Sequence, residues 1–552
     1  MFNELTINPQ IQDLRKRHIE WAEVELRPYY FGCRLKILIV ADNFIYFNDT
    51  DFGLSEVIDT LRGMATGAYP VTVDLAHRHN PSSARLAGGT AGFTFSDASL
   101  SGYDQVWIFG SEYPSRRPSG PPIGDDERQA IRRFMDSGKG VFATGDHEDL
   151  GVTMGGYIPR VRSMRRWFWP GAGPQEEPVA PHGGDASRHD TNRQGHDAGW
   201  TFEDQSDDVP QVINPHYFGS SLWSSVHPLL CTRAGVINVL PDHAHAGQCE
   251  VPANLGGNYS IGSDSFREYP NGSNGQPLAP VVVATATMIA GAEAPPTKPP
   301  IPGGSFGVIA AWDGFKAGEY GRVVVDATWH HFININLIGD KFNYGPPDPA
   351  VPKSMGFLHT AAGQAHYNKI KAYFRNIAEW LTPKSRRRCL IQRHIWWATQ
   401  SGWFKENFIR DDLVATGNLV LQRHYYLRPC DRLNIIFEVE ELQRWPWLDL
   451  LDPPRELGER IEKMRGTAQF ESLQAFVRMA PAAMIGAIAV EMAELDLPVE
   501  GLSKQLGDEE AAIPELDKAV KAGAERGFAY IEKYLSGMGE LKDIVGSLAK
   551  QR

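Results

Sequence analysis

The stretch GKGVFATGDHEDLG, residues 138–151, decides how this chain is read, because a short apolar run, Val141 to Thr144, stops at four consecutive ionisable residues, Asp146, His147, Glu148 and Asp149. Ahead of it, DDERQAIRRFMDSGKG has the marks of a helix. Asp125 and Asp126 suit the positive N-terminal end, Ile131 and Phe134 share a face, and Gly138 supplies a C-terminal stop. A helix followed by an all-apolar strand is the repeating unit of a parallel sheet. In such a sheet, side chains just past the carboxyl ends of the strands surround the ligand crevice, so the D-H-E-D run is expected to emerge there.

Working outward, residues 9–26 read as an amphipathic helix with Ile11, Leu14, Ile19, Trp21 and Val24 inward, leading to the strand LKILIV at 35–40. That strand runs into ADNFIYFNDTDFG, which makes Asp42 and Asn43 further candidates for the crevice; a plain turn or helix cap is the alternative for either. A helix over 51–64, a strand in YPVTVDLAHR and a strand in GYDQVWIFGSEYPS follow. Strand and helix thus alternate from residue 35 to residue 145, the pattern of a doubly wound α/β sheet. Glu112, just beyond WIFGS, joins Asp42 and the D-H-E-D run as an acidic group at a strand end.

Composition limits the function classes. The 552 residues are 42% apolar, ample for buried cores, and 55 basic against 67 acidic side chains leave a net charge of −12, which argues against broad nucleic-acid or anionic-membrane binding. Cys33, Cys231, Cys249, Cys389 and Cys430 are widely spaced without a CxxC, fitting neither a zinc ribbon nor a disulfide framework. The charged, mixed N-terminus lacks an apolar signal core, so a cytoplasmic location is expected. The most apolar later stretch, Ala480 to Val490, is shorter than the roughly 20 residues of a membrane span and reads as a buried helix.

Two loop-rich insertions interrupt the pattern. Residues 157–227 are rich in Gly, Pro, Asp and His, with Trp167, Phe168 and Trp169 as packing anchors, and residues 252–303 surround one strand, APVVVATATMIA. After about residue 345 the chain becomes helical, with Pro453, Pro481 and Pro514 as breaks. The expected organisation is an α/β domain over 1–345 and a mainly helical C-terminal domain over 346–552.

The order of YDQVWIFGSEY, the charged helix, the strand VFATG and the turn at Asp146 and His147 resembles the class I glutamine amidotransferase-like fold, and within it the trehalose-utilisation (ThuA-like) proteins. HPLLCTRAGVINVLPDHAHAGQ, residues 227–248, looks like that family's His-Pro segment before a short strand and polar loop. FGVIAAWDGFKAGEYGRVVVDATWHHF, residues 306–332, looks like its closing hairpin. The resemblance implies a flavodoxin-like sheet and a functional histidine after the last strand, for which His330 is favoured over His331, with Asp326 or Glu112 to orient it. The chain departs from the amidotransferases at their nucleophile elbow, here Thr144-Gly145-Asp146-His147-Glu148; the nearest cysteines are Cys33 and Cys231. Glutamine hydrolysis through a thiolate is therefore not expected.

Two functional classes follow. One is a hydrolase-like enzyme for a small polar or carbohydrate-derived substrate, with Asp146, His147, Glu148, His330 and Glu112 as acid-base groups. Several carboxylates at one sheet edge repel unless they protonate, separate or find a cation. His243-Ala-His245 puts two imidazoles on one strand face, so a divalent ion, zinc or manganese, is expected on Asp146, His147, His243, His245 and Asp42. The other class is a non-catalytic ligand-binding or assembly protein whose helical C-terminal region contacts a protein partner or another copy of the chain.

Overall fold

The computed structural model describes residues 34–64, 71–110, 123–145, 157–167, 211–220, 223–232, 235–242, 244, 247–272, 275–288, 304–387, 395–396, 399, 402–407, 409–427, 474–495 and 514–550. Contacts divide the chain into two units, one of residues 35–67 and 71–383, the other taking in the helices after residue 384.

The first unit is α/β, built on an eleven-stranded sheet. Its parallel half consists of β1 (Leu35–Ala41), β2 (Val71–His77), β3 (Gln105–Gly110), β4 (Gly140–Gly145) and a later strand at Val323–Asp326, in the order β2-β1-β3-β4 and then that last strand. All four pairings between them are parallel, including that of 323–326 with β4, so the five carboxyl ends share one edge. All but β2 are almost wholly buried, and their sequences accordingly read as mostly apolar runs; β2, at the end of the sheet, leaves Asp74 exposed.

The other half is antiparallel. In chain order, β5 (Arg165–Trp167), β6 (Gln211–Pro215), β7 (Val239–Leu240), β8 (Gly247–Cys249), β9 (Val281–Met288) and β10 (Gly304–Trp312) precede β11, the strand at Val323–Asp326. β10 and β11 form an antiparallel hairpin, and β9, β6 and β7 extend the sheet outward from β10. The first insertion, expected as a loop, thus contributes β5 and β6, and β7 and β8 follow it, all only two to five residues long and too short for alternation to be visible; β9 is the strand expected within the second insertion.

Helix α1 (Ser55–Gly63) packs on α3 (Ala361–Trp380), and residues 97–100 pack on α2 (Asp125–Asp136). α3 covers one face of the sheet. Gln105 donates its side-chain amide to Ala378 O at 2.6 Å, Asn376 donates to the carbonyls of Leu229 and Cys231, and Arg322 to Trp380 O. Gly140 lies so close to the Leu381 backbone that a Cβ there would sit 2.4 Å from its carbonyl oxygen. These contacts assign residues 346–383 to the sheet unit, whereas the sequence boundary fell at 345/346. A helix that covers an apolar sheet face has the same amphipathic pattern as one in a bundle.

Within the second unit, α4 (Leu413–Leu427) and α6 (Pro514–Lys550) both pack on α5 (Gln474–Ala493). Ala482 to Val490 are mostly buried, as expected, but α5 runs through Pro481 rather than breaking there. Close approach uses glycine: Gly417 abuts the backbone of Ala482, and Gly486 that of Leu413. Among the described residues, no helix is long and apolar enough to cross a membrane.

Candidate functional site

Five strand ends converge on one edge, and β11 delivers the densest polar chemistry there. Register sets the direction: Val324 pairs with Phe142 and Asp326 with Thr144, so Asp326 points to the face covered by α3. There Tyr373 of α3 donates its hydroxyl to Asp326 Oδ2 at 2.8 Å, and the Thr328 N–H donates to Oδ1 at 3.1 Å. Burial, reinforced by the Asp326 carboxylate, pushes the Tyr373 hydroxyl well above the usual phenol range, so it remains a donor.

The chain then leaves the strand. Trp329–His331 form a single 3-10 turn, in which the Thr328 hydroxyl caps the His330 N–H at 3.1 Å. Strand alternation therefore does not apply to the two histidines, and both are fully buried. His331 Nδ1 lies 2.8 Å from Asp326 Oδ1, out of line for a hydrogen bond, and its Nε2 is 3.0 Å from the backbone carbonyl of Asp242. His330 Nδ1 lies 3.0 Å from Asp242 Oδ2 and 3.3 Å from Asn336 Oδ1, while the Asn336 amide donates to Asp242 Oδ2 at 3.4 Å. Two acceptors against Nδ1 make that nitrogen a donor.

An aromatic wall stands beside this pair. Trp329 stacks on His330 with centroids 4.0 Å apart, and Phe44 and Phe52, both half-buried, meet Trp329 at 5.5 and 6.0 Å. Phe44 comes from the loop after β1. Asn334 holds that loop by donating to Asn48 O and Thr50 O, and Asp51 by accepting from the N–H groups of Lys341 and Phe342. Buried Arg165 spans two adjacent strand ends, donating to Gly145 O of β4 and Ala327 O beyond β11.

Of the expected site residues, Asp42 lies buried at the end of β1, with its N–H donating to Phe109 O, and His330 lies in the turn after β11, on the same edge of the sheet. Asn43 adopts φ 49°, a left-handed conformation that asparagine tolerates. Glu112, Asp146, His147, Glu148, Asp149, His243 and His245 lie outside the described residues. Asp326 faces His331; the carboxylate on His330 is that of Asp242. Sequence reasoning passed over Asp242, although it adjoins the H-x-H pair, and had no signal for Asn336 in FININL or for Tyr373, which reads as a core aromatic. His227 accepts the Leu229 N–H on Nδ1 at 3.3 Å and starts the turn at Pro228–Leu230, a structural role.

Cys249 is buried beside Val308 O and Val325 O, and burial pushes its thiol far above the usual range, away from the thiolate a nucleophile needs. Among the described residues, no group of three or more His, Cys, Asp or Glu side chains is placed to hold a metal ion. No family model, curated protein or solved structure matches the chain.

Proposed function

We propose that the chain is a hydrolase-like acid-base enzyme of flavodoxin-like, class I amidotransferase-like architecture, in which His330 carries the proton and Asp242 orients it. The observation that carries this reading is the Asp242 carboxylate 3.0 Å from His330 Nδ1 at the carboxyl edge of a parallel sheet, an arrangement that directs Nε2 away from its partner. The order of the parallel strands, β2-β1-β3-β4-β11, supports the architecture. The rings of Phe44, Phe52 and Trp329 beside His330 support a small polar or carbohydrate-derived substrate with an apolar face. Asp146, His147, Glu148 and Glu112 would add acid-base capacity at the ends of β4 and β3. The buried thiols Cys231 and Cys249 support a reducing, cytoplasmic setting.

The test is a panel of chromogenic esters, amides and glycosides assayed with wild type and His330→Gln. Loss of a positioned general acid or base costs on the order of 10²-fold or more, so turnover should fall by at least that factor. Equal turnover by the two proteins removes the reading.

A divalent ion remains a separate proposal. Of Asp146, His147, His243, His245 and Asp42, Asp42 alone is described, so no step is routed through a metal. Elemental analysis of protein purified without an affinity tag decides it, and sub-stoichiometric zinc and manganese that do not rise on reconstitution reject it. The full burial of His330 and Asp242 favours the alternative, a non-catalytic ligand-binding or assembly protein whose helical region contacts a partner. A panel that neither protein turns over decides for that alternative.

A further inference from the structure

Two adjacent imidazoles in one turn, each with Nδ1 on a different buried carboxylate, need not do the same work. We propose that His331 is a positioning residue: packed against Asp326, it holds the main chain of Asp242 through its Nε2 so that the Asp242 carboxylate meets Nδ1 of His330. The inference rests on the acid-base reading of His330. What carries it is the continuity of the contacts. Tyr373 and the Thr328 N–H hold Asp326 from two sides, Asp326 lies 2.8 Å from His331 Nδ1, and His331 Nε2 lies 3.0 Å from the carbonyl of Asp242, whose own carboxylate is 3.0 Å from His330. The path enters from α3, crosses the end of β11 and returns to the turn it left, through groups that are all fully buried.

The division of labour follows from the two rings. His331 Nε2 donates to the backbone carbonyl of Asp242, while its Nδ1 lies 2.8 Å from Asp326 Oδ1 out of line for a hydrogen bond, so the hydrogen bond of this ring goes to the main chain of Asp242. On His330, both the carboxylate of Asp242 and the amide oxygen of Asn336 lie against the same nitrogen, Nδ1. Asp242 belongs to the turn following β7, a strand of only two residues, and its carbonyl contact with His331 ties that turn to the end of β11. A carboxylate positioned from so short a strand gains its fixed direction from such outer contacts.

The experiment is imidazole ¹⁵N NMR on the full chain, which reads the tautomer of His330 directly. Wild type should show His330 with its proton on Nδ1. His331→Leu removes the donor to Asp242 O, and the two ring ¹⁵N shifts of His330 should move toward each other as the tautomers mix. His331→Gln, which can place an amide N–H near the former Nε2, should restore the wild-type signature. If His331→Leu does not fold, Tyr373→Phe removes one hydroxyl behind Asp326, and displacement of the His330 shifts in the same direction supports the proposal. An unchanged His330 signature in His331→Leu, or in Tyr373→Phe where that variant stands in, overturns it. Asp242→Asn separates the two levels. If Asp242→Asn alters His330 and the His331 series does not, the positioning role fails while the acid-base pair stands. If Asp242→Asn also leaves His330 unchanged, the acid-base reading fails with it.

Discussion

Two buried polar networks in the α/β unit use charge differently. On the flank, Glu268 accepts the Arg160 N–H at 2.6 Å and the Ser163 hydroxyl at 2.8 Å on one oxygen, and Arg162 at 2.9 Å on the other, while Arg160 reaches Asp136 of α2 at 2.8 Å. Arg160 lies over the rings of Trp312 and Tyr320, and Arg162 over Tyr259 at 3.7 Å. Arg160 also takes φ 69°, a strained choice for a side-chain-bearing residue, costing about 1–2 kcal/mol that the Glu268 contacts must offset. At the carboxyl edge, the corresponding positions are filled by imidazoles. Guanidinium groups stay charged and make a permanent clamp; imidazoles exchange protons in the physiological range. Polar groups are thus buried in both regions; on the flank the carboxylate meets guanidinium groups and at the edge it meets imidazoles.

Removing one partner from each network sharpens that contrast. Glu268→Ala should have the largest effect, about 3–5 kcal/mol, because it removes the carboxylate that faces the buried Arg162 guanidinium and also accepts the Arg160 N–H and the Ser163 hydroxyl. Denaturant unfolding of the full chain measures it, and a loss under 1 kcal/mol would show that the clamp is a bystander.

Acid should act next, at buried imidazoles outside both networks. His77, at the carboxyl end of β2, is held down to about 4 by burial and by the neighbouring His79, and His227 to about 3 by burial and the charges of Lys316 and Arg322. Each is neutral in the fold, whereas the unfolded chain takes up a proton near 6.5. Their contribution is therefore complete above pH 6.5 and declines as pH falls toward 4. For His77 the interval corresponds to roughly 3 kcal/mol at ~1.36 kcal/mol per pH unit. Unfolding free energies at pH 7, 5.5 and 4.5 should fall along that slope, and His77→Gln should flatten it; an identical slope in the variant refutes the assignment.

Asp242→Asn keeps the shape of the edge network while removing its charge. It should cost about 1–3 kcal/mol of stability, less than Glu268→Ala. If it costs more, the edge network is as structural as the flank and the comparison collapses. The smallest effect is expected from Tyr373→Phe, about 1 kcal/mol for one buried hydrogen bond, read as a shift in the unfolding midpoint at constant slope.

How far the sequence could be read depended on the length of the interaction. LKILIV, VWIFG, VFAT and VVVD declare themselves as buried strands because each is a local apolar run, and Asp42 and His330 follow from lying just beyond two of them. The short strands of the antiparallel half escaped because those such as Val239–Leu240 and Gly247–Cys249 take their meaning from partners: residues 211–212 for one, 165–167 and Gly307 for the other. The network at β11 escaped for the same reason. Asp242 and His330 are separated by 88 positions, and Tyr373 and Asp326 by 47, so neither pair leaves a spacing to recognise. The chain alone therefore determined the parallel strand-helix alternation and which imidazole-bearing turn follows its last strand, since these are properties of neighbours. Which carboxylate each histidine faces was decided by tertiary structure, because the 3-10 turn cancels strand alternation and α3 and the turn after β7 bring in partners with no local signature.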